Sequence, residues 1–191
     1  MNSEINNWIG EKEINIDLLT NCVYNRDLFE NVELDVIDYI LNHKNLKNLN
    51  FYKVYRLFVR LGYLELVKRY SDKFIKQGHA IDSKILDLAV YSGNIDIVKH
   101  LLDQGIKLSK YSLQKCLKTG DIQLIELLVV NGSKLTNYTM MEAIRYKRID
   151  LIDFVMFNGK ISVTDEFIDF AKKLKEPDTN IINYLQRFKR S

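Results

Sequence analysis

The sequence predicts an all-α fold in which pairs of helices stack side by side as a solenoid. One 17-residue pattern occurs three times, starting at Ala89, Cys116 and Ala143, with a period of 27 residues. A fixed period of about 20 to 50 residues is typical of a stack of similar units and not of one globular core. A single proline in 191 residues also favours a chain that is helical along most of its length.

Residues 1–50 are predicted to form an N-terminal cap, made of the helices of a degenerate unit. Apolar residues around Asp17, which can cap a helix, indicate one helix, and the pattern of residues 31–41 indicates a second. The end unit of a solenoid needs a polar outer face, so a departure from the repeated pattern is expected there. The alternative is a short helical motif that is separate from the solenoid.

Residues 51–159 are predicted to hold the repeated units, each with a first and a second helix. The earliest pair begins after Asn50, a candidate cap, and its first helix runs from Phe51 to Leu61. A second helix starts near Leu64 and is closed by Gly78. Val54, Leu57 and Phe58 are expected to point inward in the first of these helices.

The first helix of each later unit is indicated by a capping residue, a flanking apolar pair and a small residue. The predicted caps are Asp82, Ser109, Thr136 and Thr164. The apolar residues before them are Ile81, Leu108, Leu135 and Val163, and those four positions after them are Leu86, Leu113, Met140 and Ile168. The small residues are Ala89, Cys116, Ala143 and Ala171, which would allow two helices to pack closely.

The second helix of each unit carries an apolar stripe at helical spacing and ends at a glycine. The stripes are Ile95, Val98, Leu101 and Leu102; Ile122, Ile125, Leu128 and Val129; and Ile149, Ile152, Val155 and Met156. Gly105, Gly132 and Gly159 follow and are predicted to take the left-handed cap conformation. The turn before the second helix reads SGN and TGD in two copies, but YKR at Tyr146–Arg148, where the glycine is lost.

Residues 160–191 are predicted to form a degenerate C-terminal capping unit with a basic tail. A further first helix is expected at about 165–174, and Pro177 interrupts the pattern before it resumes at Ile181. Arg187, Lys189 and Arg190 give the tail its positive charge.

The repeated pattern resembles the ankyrin repeat. Three features carry the resemblance: the small residue, the Gly-Asn or Gly-Asp turn, and the run IDIVKHLLDQG that ends at Gly105. The resemblance covers residues 57–159 and implies antiparallel helix pairs joined by β-hairpin fingers. Ankyrin repeats have a period of about 33 residues and a T-P-L-H motif, whereas this chain has a period of 27 and no such motif. The missing residues fall where the finger would lie, so we expect shortened or absent fingers.

Composition favours an intracellular protein outside the membrane. The chain is 47% hydrophobic, its formal net charge is +3, and no run of 18 or more apolar residues occurs. Its N-terminus lacks the basic and apolar segments of a secretory signal. Cys22 and Cys116 are expected to be small buried residues and not a disulfide. Abundant Asn, Ile, Lys and Tyr make the chain similar to short-period ankyrin repeat proteins of giant DNA viruses of amoebae, which implies a host-cytoplasmic location.

No sequence motif predicts an enzyme. The zinc-ligand spacings, phosphate-binding glycine loops and nucleophile elbow are all missing from the sequence. His43, His79 and His100 occupy unrelated positions in the pattern. Paired carboxylates such as Asp150 and Asp153 lie near helix starts, where the helix dipole stabilises them. We therefore expect no catalytic residues, no metal site and no cofactor.

The ankyrin resemblance implies that residues just before each glycine turn line a concave groove. Mapped onto this sequence, those positions are Arg60, Tyr91, Lys118 and Arg145, with Tyr146 beside the last. Tyr111 and Tyr138, which are 27 residues apart, are expected to extend the same face. We call these seven residues the predicted partner face. Tyr and Arg are enriched at binding hot spots; the alternative is a solvated surface whose long side chains cover apolar groups.

The resulting hypothesis is a monomeric, non-enzymatic scaffold that binds an unknown protein through the concave face. One alternative is nucleic-acid binding through Arg60, Lys118, Arg145 and the basic tail, although the small net charge and the absence of a reader motif argue against it. Another is an adaptor for the host ubiquitin machinery, because Pro177–Leu185 faintly resembles the F-box-like tail of viral ankyrin proteins.

Overall fold

The computed structural model describes residues 50–119 and 121–189, except for the side chains of residues 118 and 119. Ten helices and no strand occur in this part of the chain, which confirms the all-α prediction. The predicted helices of residues 1–49 lie outside the described residues. The chain divides between Ala80 and Ile81 into two compact units. In the described segments, no helix is long and apolar enough to cross a bilayer.

The first unit contains α1 (Phe51–Leu61) and α2 (Leu64–Lys76), which pack against each other. Asn50 caps α1 as predicted, because its side chain accepts a hydrogen bond from the Lys53 N–H at 3.2 Å. The three residues predicted to point inward from α1 are buried. Gly78, beyond α2, has a φ of +82°, so the predicted left-handed closure is confirmed.

An aromatic contact forms the centre of the α1–α2 core. The rings of Tyr55 and Phe74 stack with centroids 4.2 Å apart, and both side chains are fully buried. The Tyr55 hydroxyl lies 3.0 Å from Ser71 Oγ, so its polar end is satisfied inside the core. Burial raises the pKa of Tyr55, and the hydrogen bond to Ser71 partly opposes that rise.

The second unit contains four pairs of helices. They are α3 (Ser83–Tyr91) with α4 (Ile95–Asp103), α5 (Ser112–Thr119) with α6 (Ile122–Val130), α7 (Asn137–Arg145) with α8 (Ile149–Gly159), and α9 (Asp165–Lys173) with α10 (Thr179–Phe188). The two helices of each pair contact each other. The first helices also contact in the order α3, α5, α7 and α9, and α6 contacts α8.

Each first helix of the second unit carries a buried small residue. The four predicted small residues are at most 1% exposed, and the four apolar residues predicted after the caps are also buried. Asp82 caps α3 by accepting hydrogen bonds from the backbone of Lys84 and Ile85, and Thr136 and Thr164 occupy the cap positions of α7 and α9. The three cap positions and the burial of the small residues agree with the prediction, since both depend on residues a few positions apart.

The predicted stripe of the second helices is displaced from the one observed. The fully buried residues are the third, fourth and seventh of each helix: Ile97, Val98 and Leu101; Leu124, Ile125 and Leu128; and Leu151, Ile152 and Val155. The residue that opens each stripe is only partly covered, and Ile149 is 37% exposed. The first residue of each of these second helices lies at the edge of its helix pair, and it is therefore not buried in the core although it is apolar.

One predicted helix end is wrong, and the start of another helix is displaced. Gly159 belongs to α8, and Lys160 takes the left-handed conformation with φ +51°, so α8 is two residues longer than α4 and α6. The helix of the second copy begins at Ser112, three residues after the predicted cap Ser109. The Ser109 hydroxyl donates to the carboxylate of Asp87 at 2.9 Å and also accepts a hydrogen bond from the Tyr111 N–H at 3.1 Å, so it still makes the bond expected of a cap.

The α3–α5 contact contains a buried polar cluster that we call the Asp87 cluster. The Asp87 carboxylate accepts hydrogen bonds from Ser109 Oγ and from Ser112 Oγ at 2.6 Å. The Lys115 ammonium lies 3.8 Å from the same carboxylate. Ser112 is fully buried and Asp87 nearly so, so these bonds are shielded from water and hold α5 against α3.

The residues after α8 form side-chain and backbone contacts with one another and with α8. Tyr184 of α10 donates a hydrogen bond to Asp153 of α8. Burial first, and then the hydrogen bond and the charge of Asp153, raise the pKa of Tyr184 to about 12. An isolated parallel bridge joins Val163 to Lys189, and Lys189 Nζ lies 2.8 Å from Asp165 Oδ1. These links fasten α10 to the helices that precede it.

Candidate partner-binding face

Six of the seven residues of the predicted partner face have described side chains, and all six are exposed. Tyr91, Tyr111 and Tyr138 are 53%, 50% and 48% exposed. Arg145, Tyr146 and Arg60 are also exposed. Lys118 lies in α5, but its side chain is outside the described residues. Arg60 belongs to the first unit, in the last turn of α1, so the second unit carries the other six.

The face of the second unit has two parts, set by where each residue lies on its helix. Tyr91 and Arg145 are the last residues of α3 and α7, and Tyr146 follows Arg145. Tyr111 precedes α5, and Tyr138 lies in the first turn of α7. Arg145 lies seven positions after Tyr138 in the sequence, which corresponds to about 10 Å along the helix axis. A partner that contacts both parts must therefore extend along the first helices.

Arg145 already has partners within the molecule. Its guanidinium donates to Glu142 Oε1 at 2.6 Å and lies 5.7 Å from the centre of the Phe170 ring on α9. Glu142 is only 5% exposed, so Arg145 compensates a nearly buried carboxylate. The spacing of three residues on one helix could have indicated this pair, but the sequence-based prediction assigned Arg145 to a partner alone.

Tyr146 shares the environment of Glu142. Burial is the largest cause of the raised pKa of Tyr146, followed by the charge of Glu142 and a hydrogen bond to it. The pKa rises above an ordinary value of about 10, so this phenol stays protonated and uncharged at neutral pH. Tyr146 can therefore offer a partner an aromatic surface and a hydroxyl group, but no negative charge.

A cleft beside Tyr138 adds residues that the sequence-based prediction missed. It has a volume of about 490 Å³ and lies among the loop after α4, the loop after α6 and the first turns of α5 and α7. Lys107, Lys110 and Lys134 line it. Lys107 and Lys134 are 27 residues apart and occupy matching loop positions, a signal that a search limited to helices does not find.

The described side chains contain no group of three or more His, Cys, Asp and Glu residues that could hold a metal ion. Cys116 is buried in α5, and its thiol lies 3.9 Å from the Asp121 carbonyl oxygen. It therefore takes the role of a small buried residue that the sequence predicted for it.

The second unit thus presents exposed tyrosines on or beside neighbouring helices, with a lysine-lined cleft beside Tyr138. Comparisons of the chain with protein-family models, curated proteins and solved structures found no match.

Proposed function

We propose that the chain is a non-enzymatic scaffold that binds a partner protein through the tyrosine-bearing face of its second unit. The observation that carries this proposal is the exposure of Tyr91, Tyr111 and Tyr138, at about half of each side chain, on or beside three first helices in contact. Tyrosine contributes a large, rigid contact area and a hydrogen-bonding group, which is why it is enriched at hot spots.

The same proposal includes an ankyrin-like solenoid of antiparallel helix pairs with short fingers. Three observations support it. The second helices α4, α6 and α8 begin at Ile95, Ile122 and Ile149, at a constant 27-residue spacing. The first helices contact one another in chain order, and each carries a buried small residue. The segment between α4 and α5 contains no strand, which fits a loop in place of a β-hairpin finger.

The stretch that suggested a ubiquitin adaptor is occupied within the molecule. Ile181 and Leu185 are its main apolar side chains, and both are buried where α10 packs on α9. A partner could reach them only if α10 moved away. The tyrosine-bearing face is open as it stands, and for that reason we favour the scaffold.

The proposal is tested by affinity capture from an amoebal lysate, a source chosen because of the viral resemblance. The bait is the full chain, compared with a Tyr91→Ala/Tyr111→Ala/Tyr138→Ala variant. The matched control is Ile75→Ala/Val130→Ala/Phe157→Ala, which removes three exposed apolar side chains outside the predicted partner face. Circular dichroism of each bait verifies that its helices are retained.

We expect the tyrosine variant to lose a protein that the wild type and the control both retain. Loss of two or more hot-spot side chains weakens binding by at least roughly tenfold. Equal capture by all three baits would contradict the proposal. Capture that disappears after nuclease treatment and falls steeply with salt would identify nucleic acid as the ligand instead.

A further inference from the structure

The cleft between the two loops is lined by positive charge on an apolar floor. We call it the lysine cleft and define it by Lys107, Lys110, Lys134, Leu113 and Tyr138. The three lysines are exposed, whereas Leu113 is only 8% exposed. The cleft therefore offers an apolar contact at its base and ammonium groups at its rim.

Among the described residues that line the lysine cleft, none is acidic. Within residues 50–119 and 121–189, neither an ion pair nor a hydrogen bond joins Lys107, Lys110 or Lys134 to a carboxylate. Lys110 Nζ lies 4.9 Å from the centre of the Tyr111 ring, so its one described partner is uncharged. Clefts lined by one sign of charge raise the local concentration of ligands of the opposite sign.

The carboxylate of Asp87 is paired inside the second unit. It accepts hydrogen bonds from Ser109 and Ser112, and the Lys115 ammonium, 3.8 Å away, offsets its negative charge. Ser109 lines the cleft, and its hydroxyl donates to Asp87 and not toward the cleft. The positive charge of the three lysines thus remains available to a ligand.

The size and composition of the cleft favour a peptide over a nucleic acid. In an extended peptide, side chains on one face recur about every 6.7 Å, so one apolar side chain can enter while acidic neighbours reach the rim. Single-stranded nucleic acids use a longer basic groove and successive aromatic side chains on which bases stack. The lysine cleft contains one aromatic residue, Tyr138, and no arginine.

We propose that the lysine cleft binds an acidic segment of the partner protein, with carboxylates at the three lysines and one apolar side chain against Leu113. This inference rests on the proposed scaffold function and specifies the chemistry of its ligand. Tyr138 belongs both to the lysine cleft and to the predicted partner face, so one bound segment can contact both.

The test uses the full chain and a fluorescent peptide in which a central leucine is flanked by two glutamates on each side. A second peptide has glutamines in place of the glutamates, and a third has glycine in place of the leucine. The cleft variant is Lys107→Gln/Lys110→Gln/Lys134→Gln. The matched control is Lys84→Gln/Lys99→Gln/Lys173→Gln, which removes the same charge from exposed lysines elsewhere in the second unit.

We expect the wild type to bind the acidic peptide and the cleft variant to bind it roughly tenfold more weakly or worse, since three exposed ion pairs are lost. The control variant should stay within about twofold of the wild type, and added salt should weaken binding. The glutamine and glycine peptides should both bind more weakly than the acidic peptide.

Two results would overturn the inference: no binding of the acidic peptide by the wild type, or equal binding by the cleft and control variants. A single-stranded oligothymidine that binds more tightly than the peptide, and depends on the same lysines, would reassign the cleft to nucleic acid. A lysate partner that the cleft variant retains and the tyrosine variant loses would preserve the scaffold and reject only the acidic segment.

Discussion

At the scale of single residues, the turn between paired helices shows how backbone geometry depends on side-chain type. Gly93 occupies this turn between α3 and α4 with φ +73°, and Lys147 occupies the matching turn between α7 and α8 with φ +56°. A residue with a Cβ is disfavoured in this conformation by about 1 kcal/mol or more. The lysine is held there by the two helices that it joins, so the turn keeps its shape without glycine.

Replacement of Gly93 by alanine isolates this backbone cost. A Cβ at position 93 would meet no neighbouring atom within 4 Å, so the substitution costs only the free energy of the left-handed backbone conformation. We expect Gly93→Ala to lower the free energy of unfolding by about 1 kcal/mol, measured by urea denaturation. Gly93→Asn should lower it less, because asparagine tolerates the left-handed region better. A loss as large for asparagine as for alanine would contradict this explanation.

At the scale of helices, the Asp87 cluster links α3 to α5 by polar contacts. A buried carboxylate with two hydroxyl donors fixes how the helices are placed, because the bonds form only at the correct register. Glu142 and Arg145 form a pair within α7, and Arg145 reaches the Phe170 ring of α9. Polar groups thus help to position adjacent pairs.

Removal of the Asp87 carboxylate should therefore be costly. Asp87→Ala leaves the buried Ser112 hydroxyl and the Ser109 hydroxyl without their acceptor, and we expect a loss of about 2–3 kcal/mol in the free energy of unfolding. The control is Asp103→Ala, which removes an exposed carboxylate at the end of α4 and should change stability by less than about 0.5 kcal/mol. Similar values for the two variants in urea denaturation would refute a stabilising role for the cluster.

The sequence predicted helix pairs, caps and close-packing positions well, because these depend on residues a few positions apart. It did not predict that Ile97 is buried and Ile95 only partly, because both suit an apolar stripe and the packing of the neighbouring helix decides between them. The Asp87 cluster and the lysine cleft were also missed. Each brings together side chains from segments that are far apart in the sequence, such as Lys107 and Lys134. A pattern of neighbouring residues does not predict that such side chains lie close together.

At the scale of the whole molecule, the described chain consists of two compact units with separate cores. The first has an aromatic core around Tyr55 and Phe74. The second, residues 81–191, buries aliphatic side chains from each of its helices. The predicted cap, repeats and C-terminal cap, at 1–50, 51–159 and 160–191, describe sequence similarity, whereas compactness divides the chain between Ala80 and Ile81.

This division predicts that residues 81–191 fold without the preceding unit. We expect the fragment to retain a helical circular dichroism spectrum and to unfold cooperatively in urea, because its helices contact one another in an unbroken series. The matched fragment, residues 107–191, lacks α3, with Asp87, and α4, so it should be less stable. A fragment 81–191 without a cooperative transition would show that its core depends on residues 1–80.

The end of α8 packs closely against the loop that carries Lys134. A Cβ at Gly159 would lie 3.0 Å from the Cβ of Leu135, the neighbour of Lys134 in the loop after α6. A larger residue at 159 would bring its Cβ into tight contact with Leu135, so the loop or the end of α8 would have to shift by a few tenths of an ångström. If the proposed acidic segment binds the lysine cleft, a substitution at this position outside the cleft would change its fit while every lysine of the cleft stays unchanged.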